Sequence, residues 1–379
     1  MTRSAERALL PAGLSDLLPP DAAFEASVVD RLTAAFEAHG YERVKPPLVE
    51  FETSLLAGAG GAMAEHTFRL MDPVSQRMMG LRADMTPQVA RIAATRLKNA
   101  ARPLRLGYAG QVLRVRGSEL KPARQLGQVG VELIGAADPA ADAEVILLAA
   151  ETLGGLGIEG LSIDLNRPTL VPAAARAKGF EGEDLATLVA ALDRRDSAAV
   201  ARLAGAQARL FDKLQRAAGP AVRALAALGA IELPEPAAAE LAKLVAVVAR
   251  LRAGMPRLAL TVDPVEHRGF EYHNGVGFSI FAGRAQSELG RGGRYLSGEG
   301  EPSTGFSLYL DALIQALPEP KPRSRIYLPP GTARGVGVRL RRAGWVTLAG
   351  FDKDADARQE ARRLGCSHLW RGGRAARVR

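Results

Sequence analysis

The chain has 379 residues, more than one domain usually holds, so we expect two or three domains with sizeable hydrophobic cores. Its net charge is +9, yet basic residues concentrate only in about the last sixty positions, which does not favour a nucleic-acid partner. The lone cysteine, Cys366, excludes an intramolecular disulfide framework. No apolar stretch approaches the ~20 residues that a membrane helix needs. The single cysteine and this lack of apolar stretches together predict a cytoplasmic protein without membrane segments.

The first half of the chain alternates helix and strand patterns. Apolar residues recur every four positions over residues 21–39, which predicts a helix that ends at Gly40. Residues 104–134 contain two long strand patterns on either side of a charged, proline-containing loop, which predicts an antiparallel hairpin. Asp138 and Pro139 then provide a cap and a first helical residue for a helix that runs to Gly154.

The second half begins with a change of composition. Alanine and leucine dominate from residue 167 to about Gly254, which predicts an inserted helical module. Strand patterns return in RLALTVD and FEYHNGVGFSIFA, followed by GRGGRY, which we predict to be a glycine-rich turn, and by a helix within 308–317. Prolines over 318–330 predict a linker. The predicted fold is α+β: a core of residues 1–166 and 256–317 with a mostly antiparallel sheet flanked by helices, a helical insertion at 167–255, and a linker with a small C-terminal α/β unit at 318–379.

Five sequence blocks follow one another in a fixed order. They are GYERVKPPLVE, LRADMTPQVAR, RPLRLGYAGQVLRVRG with RQLGQVGVELIG, HRGFEYHNG, and GRGGRY with STGFSLYLDAL. In this order they resemble the first motif, the amino-acid-binding loop, the second motif, the histidine-specific block and the third motif of the histidyl-tRNA-synthetase group of class II aminoacyl-tRNA synthetases. The resemblance covers roughly residues 8–317 and implies a class II synthetase-like fold. Its first-motif proline, Pro47, would lie at a dimer interface.

Two positions depart from the active synthetases of that group. Arg114 is followed by Arg116 where the second motif has a glutamate that binds adenine, and Ala312 stands where the third motif has an arginine that contacts ATP. A methyl group cannot replace a cation that stabilises phosphate charge. About sixty residues follow the synthetase-like body, which is short for a full anticodon-binding domain. The resemblance therefore implies neither adenylate formation nor tRNA recognition.

The positions that bind the amino acid match the group better. Free histidine needs carboxylate acceptors for its ammonium, a guanidinium for its carboxylate and a polar partner for its ring, and the sequence keeps all three. The resemblance assigns these roles to Asp84 and Thr86 (ammonium), Gln128 (an amide contact), Glu132 (imidazole) and Arg268 (carboxylate), with Arg114, Tyr272 and His273 completing the candidate site. His273 stands where the group has a tyrosine, so its part in ring recognition is not implied.

Strand geometry supports part of this assignment from the residues themselves. Gln128, Gly130 and Glu132 alternate along one strand, so they share a face, and Gly130 is expected to leave open space between the two polar side chains. An unpaired carboxylate in such an apolar strand would be costly, which makes Glu132 informative. Two alternatives stay open: a structural ion pair of Glu132 with Arg114, and a role for Arg268 as an ordinary surface arginine.

A matched amino-acid pocket without ATP contacts is typical of a paralogous family, the regulatory subunits of ATP phosphoribosyltransferase. That resemblance implies a non-catalytic subunit, a homodimer within a larger hetero-oligomer, that joins a short catalytic subunit in histidine biosynthesis and mediates feedback inhibition by L-histidine. No cofactor is expected, and the five histidines show no paired metal-ligand spacing. The alternatives are an active histidyl-tRNA synthetase and an RNA-binding histidine sensor that uses the C-terminal arginines.

Overall fold

The chain divides between Pro318 and Glu319 into two compact units. A nine-stranded sheet runs through the first unit. The computed structural model describes residues 9–117, 122–267, 272–283, 288–298, 300–320 and 322–378. Its strands are β1 Glu42–Arg43, β2 Val49–Phe51, β3 Arg69–Met71, β4 Met78–Leu81, β5 Leu104–Leu113, β6 Gln125–Ile134, β7 Leu161–Asn166, β8 Gly219–Pro220, β9 Ala259–Asp263, β10 Gly277–Ala282, β11 Gly290–Ser297, β12 Glu301–Tyr309, β13 Arg325–Leu328, β14 Val346–Ala349, β15 His368–Arg371 and β16 Arg374–Arg377.

The helices flank this sheet and fill the insertion. They are α1 Asp21–Ala38, α2 Glu52–Leu55, α3 Thr86–Thr95, α4 Pro139–Leu156, α5 Leu170–Arg176, α6 Gly182–Asp193, α7 Ser197–Ala204, α8 Ala208–Arg216, α9 Ala221–Gly229, α10 Glu235–Gly254, α11 Leu310–Ala316, α12 Arg334–Arg342 and α13 Ala357–Arg363, with short 3-10 helices at Gly58–His66 and Gly205–Gln207. The large sheet has the order β1-β5-β6-β12-β11-β10-β7-β9-β8. Only the β1–β5 and β7–β9 pairs in it are parallel, so the predicted α+β fold with a mostly antiparallel sheet is confirmed.

Local sequence signals explain how the helices beside the sheet begin and end. The apolar face predicted for α1 is buried through Val28, Leu32 and Phe36. Asp138 caps α4, since its Oδ1 accepts a hydrogen bond of 2.7 Å from the backbone N–H of Ala140. That helix ends at Leu156, two residues beyond the predicted Gly154, and the next residue, Gly157, takes the left-handed conformation with φ +98°.

The predicted hairpin of β5 and β6 has a core on each of its faces. Val129, Val131 and Leu133 point into the main core, which also contains α1 and α4. Leu106 and Tyr108 point to the other face, where they pack beneath α3. Because each strand alternates between two covered faces, polar side chains on the α3 face are enclosed and must find hydrogen-bond partners inside the protein.

The prediction that GRGGRY is a turn is wrong. These residues form most of β11, which lies between β10 and β12 in the centre of the sheet. A Cβ at Gly292 would overlap the Gly305 carbonyl oxygen on β12 and would lie 2.6 Å from the Phe278 ring on β10. The glycines are therefore needed for close packing of three strands and not for reversing the chain.

The remaining parts of the chain form smaller modules. Helices α5 to α10 occupy the alanine-rich stretch, within the same compact unit as the large sheet. The second unit has a four-stranded sheet in the order β14-β13-β15-β16, with α12 and α13 between its strands. Strand β13 lies inside the proline-containing stretch predicted as a linker, which is therefore shorter than expected. Among the described residues, no helix is both long and apolar enough to cross a membrane.

Candidate functional site

A small cavity lies on the α3 face of the large sheet, where β6, β12 and β11 run side by side. It is lined by Asp84, Thr86, Glu132, Tyr272, His273, Arg291, Gly292, Gly293, Tyr295, Gly305, Phe306, Ser307 and Tyr309. The cavity volume is about 30 Å³, which is room for one or two water molecules. Its lining brings two carboxylates and a guanidinium together with several tyrosines, a combination suited to a small zwitterionic ligand.

Glu132 is the most deeply buried ionisable group of this lining, with 1% of its surface exposed. The Tyr295 hydroxyl donates a hydrogen bond of 2.9 Å to its Oε2, and the Tyr108 hydroxyl donates one of 3.3 Å to its Oε1. Burial, and to a smaller extent the nearby Asp84 carboxylate, raise the pKa of the Glu132 carboxyl to about 8 against the lowering effect of the hydroxyl donors. The group is therefore poised to exchange a proton with a ligand near neutral pH.

Asp84 forms the second acidic position, at the turn that leads into α3. Its Oδ1 accepts hydrogen bonds of 2.9 Å from the backbone N–H of Thr86 and from Nε2 of Gln128. The Gln128 Oε1 in turn accepts from the backbone N–H of Met85 at 2.9 Å. Both of these bonds reach Oδ1, and through its own bond Gln128 holds the carboxylate in place.

Arg291 provides the positive charge among the described lining residues. Its Nε lies 2.6 Å from Glu288 Oε1 and its second terminal nitrogen 2.7 Å from Oε2, so the two side chains form a bidentate pair. Across the cavity, the rings of Tyr272 and His273 lie 4.0 Å apart, and the Tyr272 ring meets that of Tyr295 edge-on at 6.2 Å. The cavity lining thus combines two carboxylates and one guanidinium with aromatic rings.

Comparison with known proteins assigns this chain to a family. The family model for histidyl-tRNA synthetase matches residues 13–313. A protein of Paramagnetospirillum magneticum named "ATP phosphoribosyltransferase regulatory subunit" is 60% identical over 97% of this chain and 97% of its own length. This chain belongs to the family of ATP phosphoribosyltransferase regulatory subunits. A relative of that name from Rhodospirillum centenum is 57% identical over 99% of the chain and 97% of its own length. The family makes this chain a regulatory subunit and not a catalytic one.

Solved structures support the fold. A crystal structure from Bacillus halodurans, titled as an ATP phosphoribosyltransferase regulatory subunit/histidyl-tRNA synthetase, superposes with a TM-score of 0.81 at 23% identity, covering 94% of this chain and 96% of its own. Histidyl-tRNA synthetase from Nostoc gives a TM-score of 0.80 at 18% identity, covering 96% of this chain and 90% of its own. At such identities the likeness concerns the fold alone, and it confirms the predicted class II synthetase-like architecture.

The residues predicted for histidine binding fall into three groups. Asp84, Thr86, Glu132, Tyr272 and His273 line the cavity. Gln128 lies behind Asp84, and Arg114 lies outside the lining. Burial raises the pKa of the Tyr309 hydroxyl, and the charges of Arg291 and then Arg114 oppose this rise, so Arg114 is close enough to the cavity to act on it. Arg268 lies outside the described residues.

For β6, one alternative does not hold and one expectation is wrong. Glu132 bonds to tyrosine hydroxyls, and the ion pairs of the described residues do not join it to Arg114, whose Nε is buried without a hydrogen-bond partner. The space beside Gly130 is also not open. A Cβ there would meet the Tyr108 hydroxyl at 2.5 Å, so the glycine makes room for the tyrosine that binds Glu132.

Four lining residues with polar side chains were missed from the sequence: Arg291, Tyr295, Ser307 and Tyr309. All four come from β11 and β12. Arg291 and Tyr295 were missed because GRGGRY was predicted to be a turn. Had that segment been assigned to a strand, the period of two would have placed Arg291 and Tyr295 on one face. In the part of the chain that the structure describes, no group of three or more His, Cys, Asp or Glu side chains could hold a metal ion.

Proposed function

We propose that the cavity binds free L-histidine and that this binding regulates a catalytic ATP phosphoribosyltransferase subunit with which the chain assembles. The supporting observation is the buried Glu132, held by two tyrosine hydroxyls at the end of a cavity that also contains Asp84. A structural role alone does not require a carboxyl group there, because burying it is costly. A ligand that carries a titratable ring gives the carboxyl group a partner.

The chemistry of histidine accounts for the arrangement of charges. The ligand ammonium would contact Asp84, and the imidazole would contact Glu132, since a ring with pKa near 6.5 and a carboxyl with pKa about 8 can share one proton. The ligand carboxylate needs a cation, which the family resemblance assigns to Arg268 and which Arg291 also supplies at the cavity wall. Each charged group of the ligand then has a complementary partner.

The small size of the cavity suggests how binding could be coupled to regulation. The lining leaves only about 30 Å³ of free space, so we expect lining side chains to move when an amino acid binds. Histidine would thereby favour one arrangement of the subunit over another, and the inhibition is limited by its differential affinity for the two. Couplings of this kind are typically ~1–3 kcal/mol.

Substitution of Asp84 by asparagine tests the proposal. Asp84→Asn keeps the shape and one hydrogen-bond acceptor but removes the charge opposite the ligand ammonium, so calorimetry should show histidine affinity weakened by about 2–5 kcal/mol. Asp30→Asn, an exposed carboxylate on α1, is the matched control and should bind histidine normally. A folded Asp84→Asn protein with unchanged affinity would place histidine outside this cavity.

We also propose that the isolated chain is a homodimer. Pro47 and Leu48 are exposed beside the small sheet β2-β4-β3, and Met71 and Met78 of that sheet are exposed apolar side chains, which suits an interface between copies. Light scattering should report twice the mass of one chain at micromolar concentration. A monomer throughout that range would contradict this assembly.

We also propose a cytoplasmic location for the protein, which is in keeping with its single buried cysteine, Cys366.

A further inference from the structure

The net positive charge of the protein comes from its second unit. Residues 319–379 contain 15 lysines and arginines against 5 acidic residues, a net charge of +10. Residues 1–318 contain 35 basic and 36 acidic residues, a net charge of −1. The overall charge of +9 is therefore carried by about one sixth of the chain. Such a segregated charge favours contact with an acidic partner.

The same unit contains both tryptophans of the chain, and they lie on one side of its sheet. Strand alternation places His368 and Trp370 on the same face of β15. The Trp345 ring packs edge-on against His368, with ring centres 4.7 Å apart. Arg377 stands directly opposite His368 on β16 and is exposed. We call the surface formed by Trp345, His368, Trp370 and Arg377 the tryptophan face.

The two helices of the unit leave this surface accessible. Helix α13 packs on the opposite face of the sheet, where its Ala361 contributes to a core with Tyr327 and Leu369. Helix α12 is on the same side as the tryptophan face, where it packs against β14 and against Leu328 of β13. Beside this helix, Trp345, His368 and Trp370 remain partly exposed.

We propose that the tryptophan face is the docking surface for an acidic patch on the catalytic subunit. This inference rests on the proposed function, which requires a protein partner. Tryptophan and arginine are the residues most often found as energetic anchors of protein interfaces. The excess positive charge around them would steer an acidic partner towards the surface and speed association at low salt.

The geometry favours a protein over single-stranded RNA. Stacking of bases needs free ring faces, whereas Trp345 and Trp370 are half-buried and His368 packs against Trp345. The arginines also lie on both sides of the sheet, with those of α12 on one side and those of α13 on the other. They do not form the single basic track that a phosphate backbone follows.

The test compares binding of the catalytic subunit to full-length variants. Trp370→Ala combined with Arg377→Glu should weaken the affinity on the order of 30-fold, because it removes an anchor and reverses a charge. Arg377→Glu alone changes an exposed residue, so its effect on binding is not confused with misfolding. It should weaken binding about tenfold at low salt and less at high salt. Val222→Ala with Arg223→Glu is the matched control, since it changes an exposed aliphatic residue and an exposed arginine in the first unit, and it should bind the partner normally.

Each other outcome has a defined meaning. Partner affinity within about twofold of the unsubstituted chain for both variants of the tryptophan face would overturn the inference, while histidine-dependent inhibition of the complex would keep the proposed function intact. Failure of the unsubstituted chain to bind the catalytic subunit would remove both. Binding of a labelled oligouridine that is lost in the variants, with partner binding unchanged, would assign the surface to RNA and also overturn the inference.

Discussion

Purified protein should catalyse no histidine-dependent exchange of pyrophosphate into ATP. Ala312 is 1% exposed within α11, where its methyl group belongs to the main hydrophobic core. Asp311, the preceding residue of the same helix, is acidic, and its charge adds to the effect of burial in raising the pKa of the Glu25 carboxyl on α1. A buried methyl group at position 312 cannot supply the positive charge of the third-motif arginine, so stabilisation of the transferring phosphoryl group is lost.

An active histidyl-tRNA synthetase serves as the positive control for this exchange assay. Removing one such electrostatic contact typically costs 10²–10³ in rate, and here a second contact, the adenine acceptor, is replaced by the exposed Arg116. The two losses together should bring exchange down to background. Exchange clearly above background and dependent on histidine would contradict the regulatory reading of this site and favour an active synthetase.

The sequence was sufficient to predict those parts of the fold in which local signals and burial agree. The four-residue repeat of α1, the hairpin of β5 and β6 and the cap at Asp138 each satisfy local propensity and tertiary packing at once. The GRGGRY segment does not, because isolated glycines are common both in turns and in strands that pack closely. Only the neighbouring Gly305 carbonyl and Phe278 ring, which are distant in sequence, decide between the two.

The candidate site follows the same division. Residues within the matched blocks, such as Asp84 and Glu132, were found because a whole motif surrounded them. Tyr108 was missed as the partner of Glu132, although β5 was predicted, because the contact depends on the register of the hairpin, which pairs Tyr108 with Gly130. Register is set by long-range pairing and turn geometry, and the sequence of one strand does not specify it.

Replacing Glu132 by glutamine should stabilise the protein while weakening its site. The pKa of this carboxyl is about 8 in the folded protein against an ordinary value of 4.5, because burial disfavours the charged form. The folded state therefore binds more protons than the unfolded state between these two values. The contribution of the Glu132 carboxyl to the free energy of unfolding is therefore fully present below about pH 4.5 and is lost as the pH rises through 8.

Glutamine is neutral throughout and has no such loss. At pH 7, which is 2.5 units above the ordinary pKa of 4.5, the carboxyl is charged in the unfolded chain and must take up a proton on folding. Glu132→Gln removes this cost, so it should raise the free energy of unfolding at pH 7 on the order of 3 kcal/mol, with little gain at pH 4.5. Urea unfolding at several pH values measures this difference. Glu144→Gln is a control of opposite sign, because hydrogen bonds from Arg105 lower the pKa of Glu144. A gain for Glu132→Gln that did not grow with pH would show that the carboxyl is not protonated when buried.

Histidine binding by the same variant should change in the opposite direction. In the unsubstituted protein the bound ring and Glu132 share one proton, so affinity should be highest between the ring pKa near 6.5 and the carboxyl pKa of about 8, and should fall on either side. With glutamine only the neutral ring binds, so the fall below pH 6.5 stays and the fall just above pH 8 disappears. Calorimetry across pH 5.5 to 8.5 separates the two profiles, and identical profiles would exclude Glu132 as the ring partner. A gain in stability with a loss of binding is the combination expected for a residue retained for its ligand and not for the fold.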